Sequence, residues 1–425
     1  MLLQFTVGNY LSFQTKETFS LVATEMTELR DNIVEIEEGF SVVKSAAIYG
    51  ANASGKSNLL SAMGFMRDFV VDSFRISQDG NGIRVAPFKL DVDSKGKPSC
   101  FEINFYHQHD LYRYGFEVTP KEVVKEWLYI NEELIYERNQ MDLMKGKLND
   151  ESIDLKWGMT RNNVLFISIL GSANTVFAME IMEYFRTHLN VLSGLAVEPG
   201  HFTKFLLQQN NQNDYNSIMQ FIQALDISID GLSVEEHNDT LVHLPKEVRE
   251  LIDRDVYYEI FTEHNVYDHK GIVIGKVNFL ANDLESTGTN QLISLAGPIV
   301  NTLENGGTLL IDEMDAQLHP LISEAIIKMF NSKKTNKNNA QLIITTHNIT
   351  NLSNELLRRD QIWFVEKDNR ERSHVVSLVE YKFNNKRVRS DEVYSRNYLK
   401  GKYGAIPLLP QEIKVLETNF DNKGE

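Results

Sequence analysis

The sequence predicts an α/β fold with a parallel core sheet, an antiparallel β-sheet and an inserted mixed α/β lobe, and three observations carry that prediction. Residues 45–50 (SAAIYG) read as a short apolar strand ending in glycine, followed at once by a helical pattern through Leu59, Leu60, Met63 and Met66. Near the other end, apolar strands at 308–312, 341–345 and 361–366 alternate with helical sequence such as 319–331, the pattern of a parallel sheet. Between them, FEINFYHQHDLYRYGFEV (101–118) alternates apolar and polar residues on both sides of a polar turn at 108–110, as antiparallel strands do.

Taken in order, residues 1–22 alternate as strands, with Phe5, Val7, Tyr10, Leu11 and Phe13 around a Gly8-Asn9 turn. The β-rich stretch runs from about 85 to 157, with further strands at 123–130 and 133–137. A helix is predicted over 162–188. Its charge-free part, 162–179, holds Ser168, Gly171, Ser172, Asn174 and Thr175, which fits a buried helix better than a membrane span. Residues 200–255 are polar and predict a mobile, partly helical lobe. Strands at 256–263 and 271–280 lead into a helix at about 289–304. The domain division expected is 1–75, a β-rich insertion 76–160, a polar lobe 161–269, the returning α/β part 270–366, and a basic extension 367–425. No internal repeat or long heptad run interrupts it.

Composition bounds the function classes. The chain has 425 residues, a formal charge of −16 and 42% hydrophobic residues, which excludes disorder and collagen-like repeats. One cysteine, Cys100, excludes an intrachain disulfide and a cysteine-rich zinc site. The first residues carry no basic leader pattern, so a cytoplasmic location without membrane attachment is expected. Charge is uneven: residues 225–285 carry −9, whereas 381–402 carry +5. The basic stretch, laced with Tyr381, Phe383, Tyr394 and Tyr398, admits a nucleic-acid contact, against the plainer reading of a solvated, partly packed segment.

The chemistry concentrates in a few motifs. Gly50-Ala51-Asn52-Ala53-Ser54-Gly55-Lys56-Ser57, followed by Asn58, is a phosphate-binding loop (P-loop) between a strand and a helix. Its backbone N–H groups and the helix dipole would hold a β-phosphate. Lys56 would bridge the β- and γ-phosphates of ATP, and the Ser57 hydroxyl would ligate Mg²⁺. The bland alternative is a glycine-rich turn. The apolar run ending at Asp312 then fits a Walker B strand, with Asp312 ordering Mg²⁺ and Glu313 polarising the attacking water. Two acids ending a strand also suit a solvated loop.

This arrangement resembles ABC-type ATPases, in particular the branch that holds SMC, RecF and OLD proteins. The resemblance covers about 1–75 and 270–366. It rests on the start FTVGNYLSF, on Ser286-Thr-Gly288-Thr-Asn-Gln291 at the signature position, on Asp315 at the D-loop position and on Thr345-Thr346-His347 at the switch position. It implies an ABC-type head that binds Mg-ATP between two subunits, as a homodimer or higher oligomer. Lys56, Glu313 and His347 would be catalytic, and Ser286 and Gly288 would meet the partner's nucleotide. The signature departs from LSGGQ, Ser286 also suits a helix cap, His347 also suits a structural role, and neither Gln108 nor Gln140 can be assigned to the Q-loop.

Asp312 stands 255 positions beyond Ser57, farther than a membrane-transporter ATPase needs, so transport is the weaker reading. ESTGTNQ, LLIDEMDAQLHP, LRRDQIWFVEKD and YLKGKYGAIP resemble a narrower group, the AbiL/RloA-type bacterial defence ATPases. That resemblance implies an anti-phage sensor answering a phage-derived trigger. Only 59 residues follow Glu366, too few for the Toprim nuclease of OLD proteins, so the implied effector is separately encoded and Toprim- or RloB-like. A RecF-like repair ATPase and an ATP-clamped scaffold without turnover are the alternatives. Glu313 argues against the scaffold, because a clamp needs no base.

Overall fold

The computed structural model describes residues 1–76, 82–140, 142–147, 153–192, 200–225, 229–236, 258–383 and 386–407. Strands β1 (Leu2–Gly8) and β2 (Glu17–Ser20) precede a small hairpin, β3 (Ile33–Glu37) and β4 (Phe40–Val43), and then β5 (Ser45–Tyr49). The helix Lys56–Ile76 follows, and after it β6 (Ser99–His107), β7 (Asp110–Val118), β8 (Val123–Ile130), β9 (Glu133–Asn139) and β10 (Asp142–Lys145). These form an antiparallel sheet in the order β10-β9-β8-β7-β6-β1-β2, so the first strand pairs with sequence about a hundred residues on, Phe5 opposite Ile103. Every second side chain along β6 and β7, including Phe101, Ile103, Phe105, Tyr112, Tyr114 and Phe116, is buried in one core with Leu59, Met63 and Met66 of the helix.

The second sheet holds β11 (Leu189–Leu192), β15 (Thr308–Ile311), β16 (Gln341–Thr345), β17 (Ile362–Lys367) and β18 (Ser373–Ser377), in the order β11-β15-β16-β5-β17-β18. All its pairs are parallel except β17 with β18. Both faces are covered, which is why these strands read as unbroken apolar runs. Ile48, Leu310 and Ile343 face the core shared with Lys56–Ile76. Ala47, Tyr49, Leu309, Ile311, Leu342 and Ile344 face a second core, shared with the helices Thr287–Asn305 and Pro320–Asn331. A third sheet, β12 (Gly231–Glu236), β13 (Tyr258–Tyr267) and β14 (Val273–Leu280), precedes the Thr287 helix, and Thr262 and His264 both reach Glu285, at 2.5 and 2.6 Å. Part of the expected polar lobe, 237–257, lies outside the described residues.

Two local readings change. The helix expected over 162–188 is divided into Phe166–Ser172, Val176–Glu183 and a π-helical turn Tyr184–His188, because Asn174 takes a left-handed conformation (φ 56°) between the first two. β11, which was not expected, follows and adds an edge strand beside β15. In the basic tail the plainer reading of a partly packed segment holds for the tyrosines: Tyr394 and Tyr398 are buried in the second core, and Tyr381 and Tyr398 pack on Phe364 at 5.7 and 5.4 Å. Several tail cations are also paired, Arg389 with Asp391 and Lys402 with Glu392. The side chain of Phe383 lies outside the described set.

The LRRDQIWF run is a fastener. Arg358 and Asp360, both almost wholly buried, pair at 2.8 Å. Arg358 also donates to the carbonyls of Thr24 and Glu28, and Asp360 accepts from the Thr24 N–H at 2.8 Å. The pair ties the N-terminal loop to the parallel sheet. Among the described residues no helix is long and apolar enough to cross a membrane.

Candidate functional site

Three strands, β5, β16 and β15, end side by side, and each delivers chemistry at its C-terminal end, where ligands sit in open α/β sheets. β5 delivers the glycine loop. Gly50 needs to lack a side chain because a Cβ there would lie 2.4 Å from the Val365 carbonyl oxygen. Gly55 sits at φ +114°, and its Cβ would lie 2.3 Å from Ser373 Oγ. Behind the loop, Ser373 Oγ donates to the Ser54 carbonyl at 2.5 Å and contacts Ser12 Oγ at 2.7 Å, and Asn58 Nδ2 donates to Ser12 Oγ at 2.7 Å. Asn58, read as a cofactor contact, is thus engaged in bracing the loop. Asn52 and Ala53 form its exposed tip, Ala53 in a left-handed conformation at φ 60°.

Lys56 is 5% exposed, and its ammonium donates to the carbonyls of Gly50 (2.9 Å) and Ala51 (3.1 Å). Burial lowers its pKa, and the carboxylates of Asp312, Glu313 and Asp315 push the other way. The loop is curled round its own cation, and the neighbouring Ser57 is exposed at the first turn of the helix. These groups suit a phosphate with Mg²⁺: a glycine-bounded cradle, a cation, an exposed hydroxyl and carboxylates close enough to act on that cation.

β15 delivers Asp312 and Glu313. The Asp312 N–H donates to the Leu192 carbonyl at 3.0 Å, and Asp312 Oδ1 accepts from Thr345 Oγ1 at 2.5 Å. Glu313 has φ 49°, a left-handed conformation that non-glycine residues rarely take. β16 delivers Thr345, Thr346 and His347. The His347 N–H faces both carboxylate oxygens of Asp315 at 3.3 Å. The His347 imidazole is held below its ordinary pKa by burial and by Lys56, opposed by Asp315, Glu313 and Asp312. Lys56, Asp312, Glu313, Asp315 and His347 therefore lie within one electrostatic neighbourhood.

Ser286 is used locally in the single chain. It caps the helix Thr287–Asn305, its Oγ accepting from the Thr289 N–H at 3.1 Å. Gly288 packs on the loop after β15, where a Cβ would lie 2.9 Å from the Gln317 carbonyl oxygen. Gln108 and Gln140 occupy turns of the antiparallel sheet, at φ 48° and 51°. Sequence reasoning missed Ser12 and Ser373, whose bracing role depends on long-range packing. It named Thr345 within the Thr345-Thr346-His347 run but gave it no role of its own.

Residues 45–138 and 180–354 match the model of a family described as AAA domain, putative AbiEii toxin, type IV TA system. The two matched stretches contain the glycine loop, Asp312, Glu313 and His347. Among curated proteins nothing matches. Solved structures with some likeness include an SMC head bound to the C-terminal winged-helix domain of ScpA, at 14% identity and a TM-score of 0.44, covering 88% of this chain and 97% of that one. The SMC head domain from Thermotoga maritima has 16% identity and a TM-score of 0.42 over 88% and 98% of the two chains. A third, an SMC head with an extended coiled coil bound to the C-terminal domain of ScpA, derived from Pyrococcus furiosus, has 13% identity and a TM-score of 0.40 over 88% and 96%.

Proposed function

We propose that this chain, which belongs to the AAA-domain family described as putative AbiEii toxin of a type IV toxin–antitoxin system, binds and hydrolyses Mg-ATP. The observation that carries this reading is the convergence of Lys56, Asp312, Glu313 and His347 at the ends of three adjacent strands. Ser57 and Asp312 would hold Mg²⁺, which when bound neutralises charge on the phosphates. Lys56 would exchange its two carbonyl partners for the β- and γ-phosphate oxygens. The Glu313 carboxylate would take the proton of the attacking water. His347, kept neutral by burial and by Lys56, would donate a hydrogen bond to the γ-phosphate without competing with Lys56 for charge.

The wider role we infer is that of an ATP-driven sensor in bacterial defence against phage, working as a head pair with a separately encoded effector. The family description and the resemblance of ESTGTNQ and YLKGKYGAIP support it. Glu313→Gln tests the chemistry. Nucleotide affinity should stay within about threefold while turnover falls about 10²–10⁴-fold, the range of a lost general base. Lys56→Ala should lose nucleotide binding itself, measured by titration with a fluorescent ATP analogue. Equal turnover in wild type and Glu313→Gln removes Glu313 from the mechanism.

A further inference from the structure

We propose that Thr345 is a positioning residue that makes the metal carboxylate and the base a single unit, a role that rests on reading Asp312 and Glu313 as above. The strand order places it there. β16 lies between β5 and β15, so the residue that ends β16 stands between the phosphate loop and the acidic pair. Thr345 is fully buried, and one hydroxyl makes two bonds. It donates to Asp312 Oδ1 at 2.5 Å and accepts the Glu313 N–H at 2.7 Å. The Thr345 carbonyl then accepts the Met314 N–H at 3.2 Å. Three consecutive residues are thus tied to one.

Each bond has a consequence. The hydroxyl proton occupies one oxygen of Asp312, which fixes the carboxylate's rotation and leaves the second oxygen for the metal. The bond to the Glu313 N–H holds that residue at φ 49°, a conformation its own side chain disfavours, and so sets where its carboxylate points. A hydroxyl alone among side chains of this size supplies a strong donor and an acceptor at one atom. Valine keeps the shape and loses both bonds. Serine keeps both bonds and loses a methyl group.

The test compares wild type, Thr345→Val and Thr345→Ser by steady-state ATPase kinetics and by binding of a fluorescent ATP analogue with and without Mg²⁺. Thr345→Val should lower kcat and raise the Mg²⁺ concentration for half-maximal nucleotide binding, each by about 10–100-fold, the usual effect of losing a group that orients a metal ligand. Metal-free nucleotide affinity should move by less than about threefold, because Lys56 and the loop are untouched. Thr345→Ser should restore kcat and the Mg²⁺ requirement to within about threefold of wild type, since the hydroxyl is back. Wild-type Mg²⁺ dependence in Thr345→Val overturns the proposal. So does a Thr345→Ser variant as impaired as Thr345→Val, which would make the methyl group's packing the cause. Should Thr345→Val melt below the assay temperature, Thr345→Cys, similar in size and a weak donor, takes its place with the same two outcomes. If the wild type neither hydrolyses ATP nor responds to Mg²⁺, the ATPase reading fails. If it does both and the Thr345 variants match it, only the role of Thr345 fails.

Discussion

His107 shows how a single side chain records its surroundings. It is 9% exposed, its Nε2 is buried without a partner, and the His188 ring lies 4.9 Å away. Burial first and then His188 push its pKa down to about 4. The folded value lies below the ordinary 6.5, so the stabilisation is complete above about pH 6.5 and disappears as pH falls toward 4. The loss amounts to at most about 3 kcal/mol at 1.36 kcal/mol per pH unit. His107→Phe should flatten the acid limb of urea-unfolding midpoints between pH 7 and pH 4, and an unchanged limb would show that other groups govern it. At this scale the sequence is informative where residue type and spacing alone dictate chemistry. Lys56, Ser57, Asp312 and Glu313 stand out in the sequence because phosphate chemistry with a metal would call for those groups in that order. Thr345 does not, because its work depends on which strand lies between two others.

A whole junction is organised by one carboxylate. Glu126, on β8, is fully buried and accepts from Tyr114 (3.0 Å), Tyr136 (2.8 Å) and the N–H groups of Phe166 (2.7 Å) and Ile167 (3.0 Å). Arg138, also fully buried, lies 3.7 Å from it, donates to the Val164 carbonyl at 2.7 Å and stacks over Trp157 at 5.2 Å. The pair joins the antiparallel sheet to the helix Phe166–Ser172. Glu126→Ala would leave Arg138 buried without its counter-charge and should cost about 3–5 kcal/mol in chemical denaturation. Nucleotide affinity of the folded fraction should be unchanged. A loss under about 1 kcal/mol would mean that water enters and solvates Arg138. Elements with strict periodicity, such as β6 and β7, are readable from sequence because alternation has one meaning. The expected helix 162–188 is not read whole because its apolar residues suit one helix or three, and the left-handed Asn174 decides.

For the molecule as a whole, the proposed head pair makes the sharpest demand: two subunits should share each active site. In the single chain Ser286 caps its own helix. Ser286→Arg should abolish hydrolysis and spare binding at the same chain's Lys56. Mixing Lys56→Ala with Ser286→Arg, with subunit exchange confirmed, should restore part of the ATPase activity, because one composite site escapes both lesions. Normal hydrolysis by Ser286→Arg alone would remove Ser286 from the site. The parallel sheet is legible from sequence as a class. Its membership is not, because β11 is only four residues long; nor, in the antiparallel sheet, is the pairing of β1 with β6 across a helix and a loop.

The sheet order also sets a timetable for synthesis. β5 has its two neighbours, β16 and β17, nearly 300 residues or more downstream. At about 5–20 residues per second, a ribosome takes roughly 15–60 s to supply them. The antiparallel sheet, by contrast, is complete once β10 has emerged, with the Lys56–Ile76 helix already available to pack on it. The nascent chain therefore carries an unpaired apolar strand and an unfinished glycine loop beside a completed antiparallel sheet for about half of its translation. The proposed nucleotide site would be incomplete until the carboxylates after β15 arrive, long after its glycine loop has been made.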